Sequence, residues 1–308
     1  MTDYFPLVER IVFENSALDA EMYFRGGSVT GLSEKRLKDG SRAVSFFING
    51  EPGAAYLLGE TGGKPISQAE FSALGDFHPR AIKLPDVAGR LLQLAFESQA
   101  EEKFSVAGDD VWGELTARWK KESKSGLIEA RLGQIHGFSL FWQGERQKSD
   151  MIFSTPQGFI GDFPPSVSAN APWDIVVYAC RPQTQAYQYT VLRQGVIRWS
   201  RDLLARYQEM VGQKLLQLLN RELARQAQPW RWNIAFEGVE MFDLHFFPYL
   251  TDAAHAYRAL FMTMGSQMSF VIGGALTHRL LSETFERIFP EERAALQSQR
   301  LIPAAFSE

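Results

Sequence analysis

The chain has 308 residues, of which 45 % are hydrophobic and 22 % are charged, a composition typical of folded globular proteins and not of disordered chains. Its 32 Lys and Arg residues against 36 Asp and Glu residues give a net charge of −4, which argues against a nucleic-acid-binding surface, since such surfaces carry a basic excess. The single cysteine, Cys180, excludes an internal disulfide. Together with a first segment that has no long apolar run, it predicts a cytoplasmic protein.

The first third of the chain predicts short strands followed by helices. Alternating apolar residues predict two short strands, one with Ile11 and Phe13 and the next with Ala20, Met22 and Phe24. Asn49-Gly50 is a strong hairpin signal because both residues tolerate positive φ, so residues 43–47 and 54–58 are expected to pair. Helical spacing of apolar residues then predicts helices over residues 67–74, 84–99 and 110–122.

The middle of the chain predicts more strands. Residues 127–132, 138–142 and 151–154 are expected to form one set, with Gln143-Gly144 at a turn, and residues 173–180 a further strand. Apolar stretches on either side of Gln194-Gly195 predict another hairpin over residues 187–192 and 196–199.

Two stretches of this region are nearly the same. Gly31-Leu32-Ser33-Glu34-Lys35-Arg36-Leu37 corresponds to Gly126-Leu127-Ile128-Glu129-Ala130-Arg131-Leu132, and Ser45-Phe46-Phe47-Ile48-Asn49-Gly50-Glu51 corresponds to Ser139-Leu140-Phe141-Trp142-Gln143-Gly144-Glu145. The first pair lies 95 residues apart (126 minus 31) and the second 94 (139 minus 45), so one spacer is a residue shorter. Such self-similarity predicts a duplicated β module.

The repeated unit resembles the PATAN family, a small module of bacterial response regulators and other signalling proteins. In that family a Ser/Thr-Gly-x-Leu strand precedes a Phe-x-x-Gly hairpin. Here the break Lys124-Ser125-Gly126 leads into an expected strand over residues 127–132, and Phe141-Trp142-Gln143-Gly144 follows. The likeness covers residues 110–154 and, in part, residues 31–58. It implies a non-catalytic interaction module and brings no catalytic residue with it.

The last third predicts helices around a hairpin. A long amphipathic helix is expected to start at Ser200 and to end before Pro229. Residues 230–236 and 239–247 are expected to form a hairpin around Glu237-Gly238, followed by a helix from Thr251 toward Gly273 and another over residues 275–288. Residues 259–277 carry no charge, but their polar residues favour burial in a soluble domain over a membrane span.

Two groups of side chains could form a binding site. Asp243 and His245 lie two apart in an expected strand and so share a face, and His255 could approach them from the next helix. A metal site is therefore one interpretation, and hydrogen-bonded core residues the other. One expected strand has Trp230 and Trp232 on the same face, and Phe242 lies on the next expected strand. This arrangement fits either core packing or an apolar ligand groove.

Gly265, Ser269 and Gly273 recur every four residues on one face of an expected helix. Small residues at this spacing let another backbone come close. This pattern favours either close packing within the chain or a helix–helix homodimer interface.

These observations predict an α+β protein. Two repeated β-hairpin units with flanking helices, over residues 1–122 and 123–199, are expected to precede a helix-rich domain over residues 200–308. The expected function is that of a non-catalytic bacterial signalling or scaffold protein that binds protein partners, without a cofactor, nucleic acid or a membrane span. The alternative is a small-molecule-binding protein or a metal-dependent hydrolase that uses Asp243, His245 and His255.

Overall fold

A computed structural model describes residues 4–13, 17–59, 62–74, 79–106, 111–162, 172–247 and 249–306. The chain divides into two compact units, Met1–Tyr187 and Gln188–Glu308. Two six-stranded antiparallel sheets with helices are followed by a helical region, which confirms the predicted α+β class. Among the described residues, no helix combines the length and hydrophobicity that crossing a bilayer requires.

The first sheet of the first unit has the strand order β1-β6-β2-β3-β4-β5. Its elements are β1 (Arg10–Val12), α1 (Ala17–Gly27), β2 (Gly31–Arg36), β3 (Arg42–Ile48), β4 (Glu51–Gly59), β5 (Gly62–Ile66), α2 (Gln68–Ala73), β6 (Arg80–Lys83) and α3 (Asp86–Glu97).

The second sheet has the order β7-β12-β8-β9-β10-β11. Its elements are β7 (Gln99–Val106), α4 (Val111–Glu122), β8 (Gly126–Leu132), β9 (Ile135–Trp142), β10 (Glu145–Thr155), β11 (Gly158–Ile160) and β12 (Trp173–Ala179). Adding six to each strand number of the first sheet reproduces this order, so the duplication seen in two short stretches extends over whole sheets.

The repeated sequence has a specific packing role in both copies. Asn49 and Gly50 have φ of 52° and 87°, and Gln143 and Gly144 have φ of 51° and 78°, as a tight two-residue hairpin requires. The amide of Gly50 donates to the carbonyl of Val29, and that of Gly144 to the carbonyl of Lys124. Each turn is therefore fixed to the chain just after a helix, α1 in the first copy and α4 in the second.

The first glycine of each copy makes room for an aromatic ring. A Cβ at Gly31 would lie 2.6 Å from the ring of Phe24, and one at Gly126 would lie 3.0 Å from the ring of Trp119. Phe24 and Trp119 occupy equivalent positions in α1 and α4, and both are fully buried. The Gly-Leu start of the motif thus reflects close contact between helix and strand.

Helix α3 lies between the two sheets. It contacts β2 and β5 of the first sheet and β8, β9 and β10 of the second. Arg90 of α3 forms a buried ion pair with Asp150 of β10, at 2.7 Å between Nη2 and Oδ1. The buried pair connects the two copies, and breaking it would leave a charge without compensation in the interior.

The second unit is helical. Its elements are α5 (Gln185–Val211), which begins at the end of the first unit, α6 (Gln213–Ala227), β13 (Ile234–Glu237), β14 (Glu240–Asp243), α7 (Leu250–Ile272), α8 (Gly274–Phe285) and α9 (Pro290–Ser298), with single 3₁₀ turns at Gln228–Trp230 and Pro303–Ala305. Trp199 stacks on Phe261 at 4.2 Å between ring centroids in its core.

Three predicted strands are wrong, two of which belong to one expected hairpin. Residues 187–192 and 196–199 form part of α5 and not a hairpin, because the buried residues Tyr189, Leu192, Val196, Trp199 and Leu203 follow the helical period. Gly195 is a packing contact and not a turn, since a Cβ there would lie 3.1 Å from the Cβ of Glu292.

The third wrong strand is the one expected around Met22. Residues 20–24 belong to α1, in which Ala20 and Phe24 are buried one turn apart. The C-terminal hairpin is shorter than expected, because its strands begin at Ile234 and end at Asp243. The predicted boundary between residues 199 and 200 falls inside α5.

Candidate functional site

Asp243 ends β14 and is fully buried. Its Oδ2 lies 3.2 Å from Nε of Arg193 on α5 and accepts a 2.6 Å hydrogen bond from the hydroxyl of Tyr257 on α7. Its Oδ1 accepts the backbone amide of His245 at 3.0 Å. One carboxylate therefore joins the hairpin to two helices.

His245 is also buried and extends the same network. Its Nδ1 lies 3.4 Å from the amide nitrogen of Asn233, which donates to it, and its carbonyl accepts the hydroxyl of Tyr189 at 3.1 Å. The imidazole meets the ring of Phe247 edge to face at 4.4 Å. These contacts hold the backbone that follows β14 in place.

The Asp243 network combines a buried carboxylate with a buried cation and hydrogen-bond donors. Burial and the charge of Asp243 raise the pKa of Tyr257 well above its usual value, so the hydroxyl remains a donor at neutral pH. Arg193, 1 % exposed, supplies the opposite charge. A buried carboxylate with a cation and several donors is a satisfied structural group.

His255 does not share this environment. Its side chain is exposed on α7, whereas Asp243 and His245 are buried. In the described ranges, no three or more His, Cys, Asp or Glu side chains are placed so that they could hold a metal ion.

The three candidate aromatic residues lie at the surface or at its margin. Trp230 is 60 % exposed, in the 3₁₀ turn before the hairpin, and stacks nearly parallel to Trp232, with 5.9 Å between centroids. Trp232 is half-buried and packs against Phe247 of the core. Phe242 is exposed on β14.

The small residues of α7 have different environments. Gly265 is buried, and a Cβ there would lie 2.1 Å from the backbone oxygen of Phe306, so the chain itself occupies this close approach. Ser269 is half-buried, and Gly273 ends the helix with φ of 83°. The homodimer interface remains a prediction for Ser269 and Gly273.

Sequence reasoning missed an open groove between α6 and α7. It has a volume of about 530 Å³, and its lining residues are Glu222, Arg225, Gln226, Ala259, Met262, Thr263, Ser266 and Gln267. Met262 is 55 % exposed, and Phe270, two turns further along α7, is 90 % exposed. The sequence feature that could have indicated this groove is the uncharged stretch of residues 259–277, for which burial inside the protein was predicted.

A buried polar cluster in the second sheet was missed as well. Glu129 accepts a 2.5 Å hydrogen bond from the hydroxyl of Tyr178 and lies 2.8 Å from Nε of Arg131 and 3.0 Å from Nε2 of His136. Burial raises the pKa of Glu129, but a hydrogen bond from His136, the charges of protonated His136 and of Arg131, and a hydrogen bond from Tyr178 outweigh it, and the pKa falls to about 2. His136 has no partner at an informative sequence spacing, because its partners lie on other elements.

The PATAN resemblance stays a prediction. Its Phe-x-x-Gly stretch is the β9–β10 turn described above, in which Gly144 needs positive φ. Comparison with protein-family models, with curated proteins and with solved structures finds no match for this chain.

Proposed function

We propose that this chain is a non-catalytic scaffold or signalling protein that binds another protein through the groove between α6 and α7. The observation that carries this proposal is the apolar surface around the groove. Phe270 is almost as exposed as in an unfolded chain, and Met262, Val271 and Leu218 are also exposed. Contiguous apolar surface of this kind marks interaction sites on proteins.

The exposed side chains follow the ridges of the two helices. Met262, Ser266 and Phe270 lie four residues apart along α7, and Thr263, Gln267 and Val271 form the neighbouring row. On α6, Leu218 lies one turn before Glu222, a lining residue of the groove. Apolar side chains therefore extend beyond the groove along both helices.

The charges of the groove satisfy each other. Arg225 and Glu222 form an ion pair at 2.5 Å, one turn apart on α6, and the α7 side carries no charge. A groove between two helices whose two charged lining residues pair with each other, and whose α7 side is uncharged and partly apolar, suits the apolar face of a helix from a partner. We therefore propose a partner that presents an amphipathic helix.

Affinity capture from native lysate with two groove variants tests the proposal. Met262→Glu and Phe270→Glu place a charge where the partner's apolar side chains would lie, and burying that charge without a counterion opposes binding. We expect both variants to lose a protein that the unaltered chain captures, and Met22→Glu to retain it. Met22 is a matched control because it is 62 % exposed and lies in the first unit.

The same preparation also tests the non-catalytic part of the proposal. Equal capture by Met262→Glu, Phe270→Glu and the unaltered chain would reject the groove as the binding surface. A specific turnover that Met262→Glu and Phe270→Glu leave intact would reject the scaffold function.

A further inference from the structure

The N-terminal segment of residues 4–8, here called the strap, is held by the second sheet. The backbone amide of Phe5 donates to Nδ1 of His136 at 2.8 Å. The Phe5 side chain is buried, and its ring lies 4.9 Å from the ring of His136 and 5.3 Å from that of Phe159. Phe5 has φ of 47°, an unfavourable value for a bulky residue, which these contacts help to offset. The Arg10 guanidinium also donates to the carbonyls of Tyr4, Pro6 and Val8.

The hydrogen bonds define the protonation state of His136. A backbone amide can only donate, so Nδ1 must be the unprotonated, accepting nitrogen. Nε2 then carries the proton and donates to Glu129 across 3.0 Å. His136 is therefore neutral when the strap is in place, and a second proton would go to the nitrogen that Phe5 uses.

The two copies of the repeat differ at this position. Arg42 of β3 corresponds to His136 of β9, as Glu34 corresponds to Glu129. In the first copy, Arg42 pairs with Glu34 at 3.2 Å between Nη1 and Oε1, with a permanent positive charge. The second copy has a histidine, whose side chain can be neutral or charged, and its other nitrogen can accept the strap.

We infer that the strap is a pH-sensitive latch, closed while His136 is neutral and released when His136 takes up a proton. The added proton on Nδ1 turns the acceptor into a donor. Two N–H groups then face each other, and the hydrogen bond from the amide of Phe5 is lost. Release would remove Tyr4 from its place beside Glu129 and Arg131, whose guanidinium lies 5.9 Å from the Tyr4 ring.

The charged and titratable groups around His136 set the direction of the effect. They are Glu129 and Arg131 of β8, Tyr178 of β12 and Tyr4 of the strap. The ring of Tyr4 also lies 5.7 Å from the guanidinium of Arg42, which pairs with Glu34. Burial and the charge of Arg131 lower the pKa of His136, and Glu129 opposes them only in part. A released, more hydrated His136 binds a proton more readily, so acidification favours release.

Hydrogen exchange of the full chain between pH 8 and pH 5 tests the latch. The measured quantity is the protection factor of a peptide that covers residues 4–13, corrected for the intrinsic exchange rate at each pH. We expect it to fall by up to tenfold per pH unit as the pH falls from 7 to 5, because one proton is coupled to release. A protection factor that is constant over this range would overturn the inference.

Three variants separate the latch from general acid sensitivity. His136→Gln retains an acceptor but cannot titrate, so its strap protection should be independent of pH, whereas His136→Arg copies Arg42 and should lose protection at every pH. His278→Gln, at an exposed histidine of α8, should behave as the unaltered chain does. A protection factor of the strap that still falls with pH in His136→Gln would reject the latch. The protection of peptides from β8 and β9 reports whether each variant is folded.

Discussion

At the scale of single residues, several buried charges have ion-pair or hydrogen-bond partners in distant parts of the sequence. Arg193 and Asp243 lie 50 residues apart, and Arg90 and Asp150 lie 60 apart. Nζ of Lys35, almost fully buried, donates to three carbonyl oxygens, including that of Phe71 at 2.9 Å. The sequence indicated that Asp243 and His245 share a face, but it could not show which cation would reach them.

Removal of Arg193 tests how strongly its ion pair is required. Arg193→Met leaves Asp243 buried without its cation, and we expect a loss of about 3–5 kcal/mol in the free energy of unfolding. Arg225→Met removes a mostly exposed cation from its pair with Glu222 and should cost less than about 1 kcal/mol. Urea denaturation of both variants measures the difference, and similar losses would contradict the structural role of the Asp243 network.

At the scale of elements, turn residues and the spacing of apolar residues predicted the turns and helices that depend mainly on residues close in sequence. The Asn49-Gly50 and Gln143-Gly144 turns occur where expected, and α2, α3 and α4 lie within a few residues of their predicted ranges. The first part of α5, residues 185–199, was missed because β-branched and aromatic residues around Gly195 resemble the pattern of a hairpin, whereas tertiary packing selects the helix. β7 was missed because its side chains are mostly exposed and show no alternation.

The fixed position of the β9–β10 turn predicts a difference between two glycines of the second sheet. Gly133 and Gly144 both have positive φ, but a Cβ at Gly133 would meet nothing within 4 Å, whereas one at Gly144 would lie 2.8 Å from the backbone of Lys120. We expect Gly133→Ala to cost about 1–2 kcal/mol for its backbone conformation. Gly144→Ala should cost about 1–3 kcal/mol more because of overpacking. Thermal and urea unfolding of the two variants measure the gap, and equal losses would show that the turn does not depend on α4.

At the scale of the whole molecule, the repeat predicted how the first unit is built but not its full extent. Two short stretches were recognisable because their glycines, glutamates and aromatics meet the same packing demands in both copies. The edge strands β1, β5, β7 and β11 have no such demands, and their sequences have diverged beyond recognition. Divergence is equally visible inside the repeat, where Arg42 corresponds to His136.

Acid unfolding should reveal the contribution of Glu129. Its pKa is about 2 in the folded protein against 4.5 in an unfolded chain, so its contribution to stability is complete above pH 4.5 and is lost as the pH falls toward 2. We expect Glu129→Gln to be less stable than the unaltered chain at pH 7 and to lose less stability between pH 5 and pH 2. Urea midpoints across this range measure both effects, with Glu102→Gln as a control at an exposed carboxylate. A parallel decline in all three proteins would contradict the pairing.

The spacer that differs by one residue between the copies lies in a single loop. Arg36 pairs with Arg42 across β2 and β3, and Arg131 pairs with His136 across β8 and β9, so five residues connect the first pair and four connect the second. The turns after β3 and β9, in contrast, have the same length and lie against helices. The β8–β9 loop is therefore where this architecture accepts a change of chain length, and it is the natural position at which to insert a reporter sequence without disturbing either sheet.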